Sequence, residues 1–366
     1  MPSSRVRVFT PSGQPIGELD VATDRQAVLP QQPSNVGDCK FNISTSDSKC
    51  TLQYLNPGNL VLVEHIPWAD NYGNAGGTLP PWVGVIDLPM NGKYGEIEVE
   101  AYSAEKILQW RTLPSKDLKG TGGQIVSEIL NIANQAVSKA GYGTVILPGS
   151  IYTGGASRTE TMGNSAFEII RRIGAETGCD WMIVPAVDPI TGALSLSLNF
   201  YNGNAGVFQN FVFEEGTNLK KDLSNSWSWQ DNIWNDVFSS AKAVTDNSRI
   251  ANAGDEQLDA VSVGQYGVRQ TSNITSGNSS KGGATETAIT YLEQQKQGIV
   301  TLTPTAVNFA GTFSNIALGN TCYLNTESYG FTAGGLGYRN TLVKIVGWGY
   351  NDAAGEAPLV MEIVNQ

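Results

Sequence analysis

Two stretches of the chain, one near each end, follow the same pattern. Gly58-Asn59-Leu60-Val61-Leu62-Val63-Glu64 opens a strand, a long loop follows, Val83-Gly84-Val85 lies in the next strand, and residues 97–101 form a third. Gly319-Asn320-Thr321-Cys322-Tyr323-Leu324-Asn325 likewise opens a strand, a long loop follows, Val346-Gly347-Trp348 lies in the next, and residues 359–364 form the third. Self-similarity of this kind marks a duplicated unit. The spacing sets Gly58 against Gly319 and Gly84 against Gly347. The expected result is two related antiparallel β-barrels, the first closed or nearly closed by about Tyr102 so that its strand edges are hidden.

The segments between and around the repeat divide the chain further. Arg5-Val6-Arg7-Val8-Phe9 alternates as a half-buried strand does, and residues 60–63, 82–86 and 96–100 are read the same way. In the last of these Glu96, Glu98 and Glu100 face water, while Ile97, Val99 and Ala101 face a core. Ile125, Ile129, Ile132, Ala136 and Val137 recur at helical spacing, which predicts a helix over about 123–140 stopped by Gly141. Ser165 with Glu168 three residues on reads as a capping box starting a second helix, with Phe167, Ile170 and Ile173 as its buried stripe and Gly178 at its end. Strands are expected at 181–184 and, beyond a Pro-Ile-Thr-Gly turn, at 194–201, completing an α+β unit. From about Trp227 the chain returns to β, with Asn235-Asp236-Val237-Phe238 leading a strand and others at 299–303, 317–324, 342–347 and 359–364. The stretches 66–79, which carries Trp68 and Tyr72, and 270–285, almost without apolar residues, read as mobile loops. A 366-residue chain exceeds one ordinary core. The expected division is a first barrel over 1–112, an α+β middle domain over 113–222 and a second barrel over 223–366.

Charge and composition narrow the chemistry. Only 16% of residues are charged, so the surface resembles one that sits against partner subunits. The net charge of -11 argues against gripping a phosphate backbone, which takes Lys and Arg, and suits a wall past which a polyanion slides. Four cysteines, Cys39, Cys50, Cys179 and Cys322, form no CxxC pair and no zinc spacing, and free thiols in a reducing cytosol are expected. No apolar run approaches 18 residues and no signal-peptide core is present, so neither membrane insertion nor export is expected. The single histidine, His65, reads as a surface or barrel-rim residue and leaves little room for Ser–His–Asp or Cys–His chemistry. Gly120-Thr121-Gly122-Gly123 lacks the Gly-Lys-Ser/Thr ending of a phosphate loop and reads as a linker and helix start. No catalytic residue, metal or cofactor is expected. Trp227 and Trp229 point the same way on a strand, either into a core or onto an intersubunit surface.

Residues 160–181, ETMGNSAFEIIRRIGAETGCDW, resemble the helix-and-strand signature of tail hub proteins. That family takes in contractile-phage baseplate hubs, late-control-D-type proteins and the N-terminal part of VgrG. Asn235-Asp236-Val237 resembles its Asn-x-Val strand, which opens the second barrel. Tyr266-Gly267-Val268-Arg269 resembles its Tyr-Gly-x-Arg element, followed by a flexible loop, a short helix at 288–294 and closing strands. In this order the motifs cover nearly the whole chain. The resemblance implies a mainly β fold with two tube-forming barrels around an α+β domain, and a homotrimer whose six barrels make a pseudo-hexameric ring. Such a ring seats on a hexameric tail tube or distal tail protein on one face and on a trimeric spike or fibre on the other, with DNA passing through its channel. The implied place is the virion tail tip, after synthesis in the host cytoplasm. No spike, lysozyme-like or peptidase domain is read in the chain, so puncturing or wall degradation is expected from another one. The other readings are a tail-tip enzyme that degrades cell wall or glycan, and a carbohydrate-binding β module. Within the hub reading, Trp68 and Tyr72 are candidate anchors on another subunit, the alternative being that both rings fold back on their own barrel.

Overall fold

The computed structural model describes residues 4–30, 36–66, 77–93, 95–221, 226–229, 233–234, 236–241, 256–276, 281–296, 300–309, 311–332 and 335–364. The N-terminal lobe comprises β1 (Ser4–Phe9), β2 (Pro15–Leu19), β3 (Thr23–Val28), β4 (Asp38–Ser44), the single turn α1 (Leu52–Leu55), β5 (Leu60–His65), β6 (Trp82–Lys93) and β7 (Glu96–Ser103). In β4 the period-2 pattern is plain: Cys39, Phe41 and Ile43 are buried while Lys40, Asn42 and Ser44 are exposed. β5 differs from the half-buried strand expected. Val61 and Val63 enter one core and Leu60 and Leu62 another, so the strand is covered on both faces. A continuous apolar run is what such a strand requires.

The middle segment holds α2 (Glu105–Gln109), β8 (Asp117–Gly120), α3 (Gly122–Ala140), β9 (Ile146–Ile151), β10 (Arg158–Thr161), α4 (Ala166–Thr177), β11 (Trp181–Val187) and β12 (Leu194–Phe200). Both long helices stand where the periodicity puts them. α3 ends on Gly141 at φ 70 and α4 on Gly178 at φ 66, left-handed positions that glycine takes without a Cβ clash. Ser165 Oγ caps α4 by accepting from the Glu168 N–H at 3.3 Å. The return bond of a capping box is found on α3, where Gln124 Oε1 accepts from the Thr121 N–H at 2.9 Å. Apolar faces of both helices share a core with the inner face of the sheet β11-β12-β9, and with Leu60, Leu62, Val83 and Val85 of the first lobe.

The remainder holds β13 (Phe208–Glu214), β14 (Ser226–Trp229), β15 (Asp236–Ala241), β16 (Gln257–Leu258), α5 (Ala260–Tyr266), β17 (Gln270–Ser276), α6 (Lys281–Gln295), β18 (Val300–Thr303), β19 (Thr305–Val307), a 3-10 turn (Thr312–Asn315), β20 (Thr321–Thr332), β21 (Gly335–Asn351) and β22 (Glu356–Ile363). Two expectations are corrected here. The stretch 270–285, read as a mobile loop, carries β17 and the start of α6. Parallel pairing of β17 with β15 supplies backbone hydrogen bonds that its polar side chains could not announce. The strand from Asp236 is not part of the large sheet: it lies in a separate sheet, β16-β15-β17, on which α6 packs around Val237, Ala288 and Leu292.

The large sheet has 14 strands and runs β14-β18-β22-β21-β3-β4-β7-β6-β5-β1-β2, with β19, β20 and β13 joined beside that path. Among the described residues no sheet closes into a barrel. β3, which would have to seal the first lobe on itself, pairs with β21 from Gly347 opposite Val28 to Asn351 opposite Asp24. The two expected closed barrels are thus two lobes of one open sheet, and a single core runs through both.

The repeat itself is present in the order of strands. β4-β7-β6-β5 and β19-β22-β21-β20 are antiparallel quartets of the same order, and each has a helical turn before its Gly-Asn strand. Gly58, at φ 95, donates to the Ile86 carbonyl at 2.7 Å, and the Asn59 carbonyl accepts from the Ile86 N–H at 2.9 Å. Gly319, at φ 81, donates to the Ile345 carbonyl at 2.7 Å, and the Asn320 carbonyl accepts from the Ile345 N–H at 2.8 Å. Asn59 Nδ2 ties back to the Gln53 carbonyl at 2.9 Å, and Asn320 Nδ2 to the Asn315 carbonyl at 3.1 Å. The second expected pair does not hold. Gly84 lies opposite Val61, and the matching place opposite Cys322 is Val343, not Gly347. The two glycines meet different demands: a Cβ at Gly84 would strike the Trp82 ring and the Tyr102 carbonyl, whereas Gly347 makes room for Val28 and Val360 where the lobes join.

That junction carries a buried charge. Arg25 is fully buried, and its Nη1 donates to Ser4 Oγ and to Thr23 Oγ1, each at 2.7 Å. Those hydroxyls donate in turn to Oδ1 and Oδ2 of Asp352, each at 2.9 Å. The guanidinium stacks 4.9 Å over the Tyr350 ring. His65, expected at a rim, is buried instead, edge-on to Tyr350 at 5.0 Å and to Phe313 at 5.6 Å, because the end of β5 runs beneath the C-terminal lobe. Burial, and then the neighbouring Arg25, lower its pKa to about 4.

Two outcomes follow from these contacts. Asn320→Ala removes the tether to Asn315 and leaves the Val207 N–H, now 3.0 Å from Asn320 Oδ1, without its acceptor. Denaturant unfolding should show a loss of about 1–3 kcal/mol, and Asn59→Ala should act in the same direction. The unfolded chain protonates His65 near pH 6.5 and the folded chain only near 4. His65 therefore lends its full stability above about pH 6.5, and that contribution falls as pH drops toward 4, where the unfolded state binds the extra proton. A pH series of melts should show a shallower acid slope over this window for His65→Phe than for the parent chain.

Candidate assembly site

Among the described residues β2, β13, β14 and β19 each have a single strand partner in the large sheet. β13, with the sequence FQNFVFE, pairs with β20 alone and parallel to it. It is fixed in place from both ends: Asn320 Oδ1 accepts from the Val207 N–H at 3.0 Å, and the Asn325 carbonyl accepts from the Glu215 N–H at 3.0 Å. Val207 and Phe208 are 64% and 53% exposed, and Phe208 stands edge-on to Tyr323 at 5.5 Å. Free edges are ordinarily blunted by proline, by charge or by shortness. β2, at the far end, carries Pro15 and the Arg5–Glu18 ion pair. β13 has neither proline nor lysine, and a single glutamate at its end. Sequence reading passed over β13, although the aromatic run Phe208, Phe211 and Phe213 is a strand signal.

A cavity of about 290 Å³ opens where the lobes and the middle segment meet, between Pro81, Trp82, Met182, Ile183, Leu318 and Trp348. Glu105 lies on its wall, buried, with Oε1 accepting from the Ile183 N–H at 3.3 Å. Burial pushes its carboxyl above the ordinary range. Among the described residues it is the only titratable side chain lining this cavity, and acid–base hydrolysis uses paired groups. Glu96 and Glu98 are exposed, and Glu100 pairs with Lys40 at 3.4 Å, which makes this a solvated strand face. None of the four cysteines is in a disulfide, and burial pushes the Cys39 and Cys322 thiols up to about 12, far from a thiolate nucleophile. Among the described residues no cluster of His, Cys, Asp and Glu is placed to hold a metal, and no helix is long and apolar enough to cross a membrane.

Trp68 and Tyr72 lie in 67–76, outside the described residues. Trp227 and Trp229 stand on β14, opposite Leu302 and Val300 of β18.

No family model matches the chain, and no curated protein matches it in sequence. The fold does match solved structures over almost its full length. A prophage tail protein from Listeria monocytogenes EGD-e is 10% identical, with 99% of this chain and 94% of that one covered and a TM-score of 0.58. A tail protein from Neisseria meningitidis MC58 is 13% identical, covering 98% and 96%, with a TM-score of 0.57. The 43 kDa tail protein of prophage MuSo2 from Shewanella oneidensis is 12% identical, covering 99% and 98%, with a TM-score of 0.56. The chain has the fold of these tail proteins, and the tail-protein resemblance carried by residues 160–181 and the two shorter motifs is borne out in that fold.

Proposed function

We propose that the chain is a structural hub subunit of a phage tail tip or baseplate, and that it works without catalysis. The observation that carries this reading is the quartet of strands occurring twice in one open sheet, with Gly58 and Gly319 in the same hydrogen-bonded place. One chain thereby offers two like units, and three chains about an axis offer six. Such a ring matches a hexameric tail tube on one face and a trimeric spike or fibre on the other. The units would be 1–112 and 223–366, with 113–222 between them. Asn218 caps the outer edge of β13 at Val212 and Glu214, and the exposed Phe208 and Asn210 ahead of that cap supply a reason for the chain to associate. An excess of 11 negative charges suits a channel wall that repels phosphate, so that DNA passes without being held. The loop 66–79, with Trp68 and Tyr72, is assigned to contacts with another subunit.

The purified chain should have a native mass about three times its 39.1 kDa. A stable monomer or dimer, both in isolation and in assembled particles, would overturn the ring. Asn210→Lys places a charge on the exposed middle of β13 and should leave the melt unchanged while weakening assembly in sedimentation experiments.

A further inference from the structure

Two exposed apolar patches, one on the middle segment and one at α5, carry different charged side chains beside them. The last turns of α3 and residues 110–114 enclose a groove of about 600 Å³. Ile132 lines it, Trp110 at its rim is 46% exposed, and Tyr142, just past the end of α3, is 59% exposed. Among the described residues the only charged side chains lining the groove are Arg111 and Lys139, both cationic, in a chain whose net charge is -11. Arg111 is held by its own bond to the Thr144 carbonyl at 3.4 Å, while Lys139 is exposed.

The second patch is the α5 turn. Val261 is 77% exposed and Leu258 54% exposed, although the turn is rigidly tied. Asp259 Oδ1 accepts from the Ser262 N–H at 2.8 Å, Asp259 pairs with Lys296 at 3.3 Å, and Ser262 Oγ bonds the Lys296 carbonyl. With Asp259 engaged, Glu256 is the exposed anion on this patch. A fixed turn that presents apolar side chains to water is pre-organised for binding, since little freedom remains to be lost.

Both patches are exposed within one chain, so neither covers the other. α6, to which α5 is tied, meets the middle segment where Glu286 accepts from the Ala156 N–H at 3.3 Å and where Thr290 lies against Gly178. That is beside the first turn of α3, where Gly122 packs on Ile173 and Thr177. The groove lies over the second half of the same 19-residue helix, from Ile132 to Lys139, roughly 15–25 Å away at 1.5 Å per residue. Complementary patches at different places on a molecule join copies head to tail, and such contacts close into a ring when the rotation allows.

We propose that the groove of one copy receives the α5 turn of a second copy, with Val261 and Leu258 against Trp110 and Ile132 and with Glu256 beside Lys139. This rests on the ring reading above and names the surfaces that make the ring. The occupant is a second copy because the chain itself carries an exposed anion, Glu256, beside exposed apolar side chains that complement the groove, and opposite charge steers the two together.

Sedimentation equilibrium of the full chain, with thermal melts in parallel, tests it. Lys139, Glu256 and Val261 are exposed, so Lys139→Glu, Glu256→Lys and Val261→Ser should leave the melt unchanged. Each should weaken self-association, by roughly tenfold for Val261→Ser and for Lys139→Glu at low salt. The double variant Lys139→Glu with Glu256→Lys should return association to within about threefold of the parent, because the pair is restored with its signs exchanged. If the parent chain associates and these variants match it, or if the double variant is no better than the singles, the pairing is wrong while the ring stands. If the parent chain itself stays monomeric in solution and in particles, the ring reading fails, and this pairing with it.

Discussion

The Arg25–Asp352 link, made through two hydroxyls, sits at the one place where the large sheet passes from lobe to lobe. Ser4 comes from the first strand of the chain, Thr23 and Arg25 from β3, and Asp352 from just past β21. Three distant segments thus converge on one buried cation. Burying a charge is unfavourable unless hydrogen bonds replace its water, and removing one member of a buried pair commonly costs about 3–5 kcal/mol. Here the requirement falls on register: only when Gly347 stands opposite Val28 and Tyr350 opposite Arg25 do the hydroxyls reach both charges. Nonpolar burial alone would tolerate a slipped ladder far more readily, since a shared hydrophobic core is not directional. The polar link fixes which slip is allowed.

With that register set, the middle segment has only one place to dock. β5 and β6 are the strands with apolar residues on both faces: Val61, Val63, Trp82 and Ile86 turn to the core shared by the lobes, and Leu60, Leu62, Val83 and Val85 turn to α3, α4 and their sheet. Lys344 of β21 pairs with Asp180 at 2.7 Å, beside the start of β11, and Asp180 also accepts from the Ala205 N–H at 2.9 Å. Each lobe is therefore tied to the middle segment as well as to the other lobe, and the quartets cannot turn independently.

What the residues alone disclosed follows the range of the interactions involved. α3 and α4 were legible because a helix is decided within a few residues: apolar spacing, Ser165 at one end, Gly141 and Gly178 at the other. The first half of the repeat was legible for the same reason, since Gly58 and Gly319 both sit at positive φ where a strand begins. Its second half was misplaced because Gly84 and Gly347 answer to neighbours far away in sequence, a Trp ring in one case and the other lobe in the other. Barrel closure was misjudged likewise: nothing in the local pattern of β3 states that its partner is β21. His65 read as a rim residue because its burial depends on Phe313 and Tyr350. For the candidate site, the aromatic run of β13 was visible but unread, and the exposed faces of α3 and α5 take their meaning from where the chain leaves them. Trp68 and Tyr72 lie outside the described residues.

An open sheet of 14 strands with a shared core associates through what it leaves uncovered. β2 is guarded by Pro15 and a cross-strand ion pair, and the outer edge of β13 by Asn218 at Val212 and Glu214, while the exposed Phe208 and Asn210 lie ahead of that cap. Away from the sheet, the middle segment displays a basic groove over the second half of α3, and α5 displays an apolar turn beside Glu256. The groove and the turn are unlike one another, so a contact between them runs from one copy to the next in a fixed sense, whereas a strand edge can also pair with its own copy about a two-fold axis. A cyclic assembly is the closed form of such a head-to-tail contact.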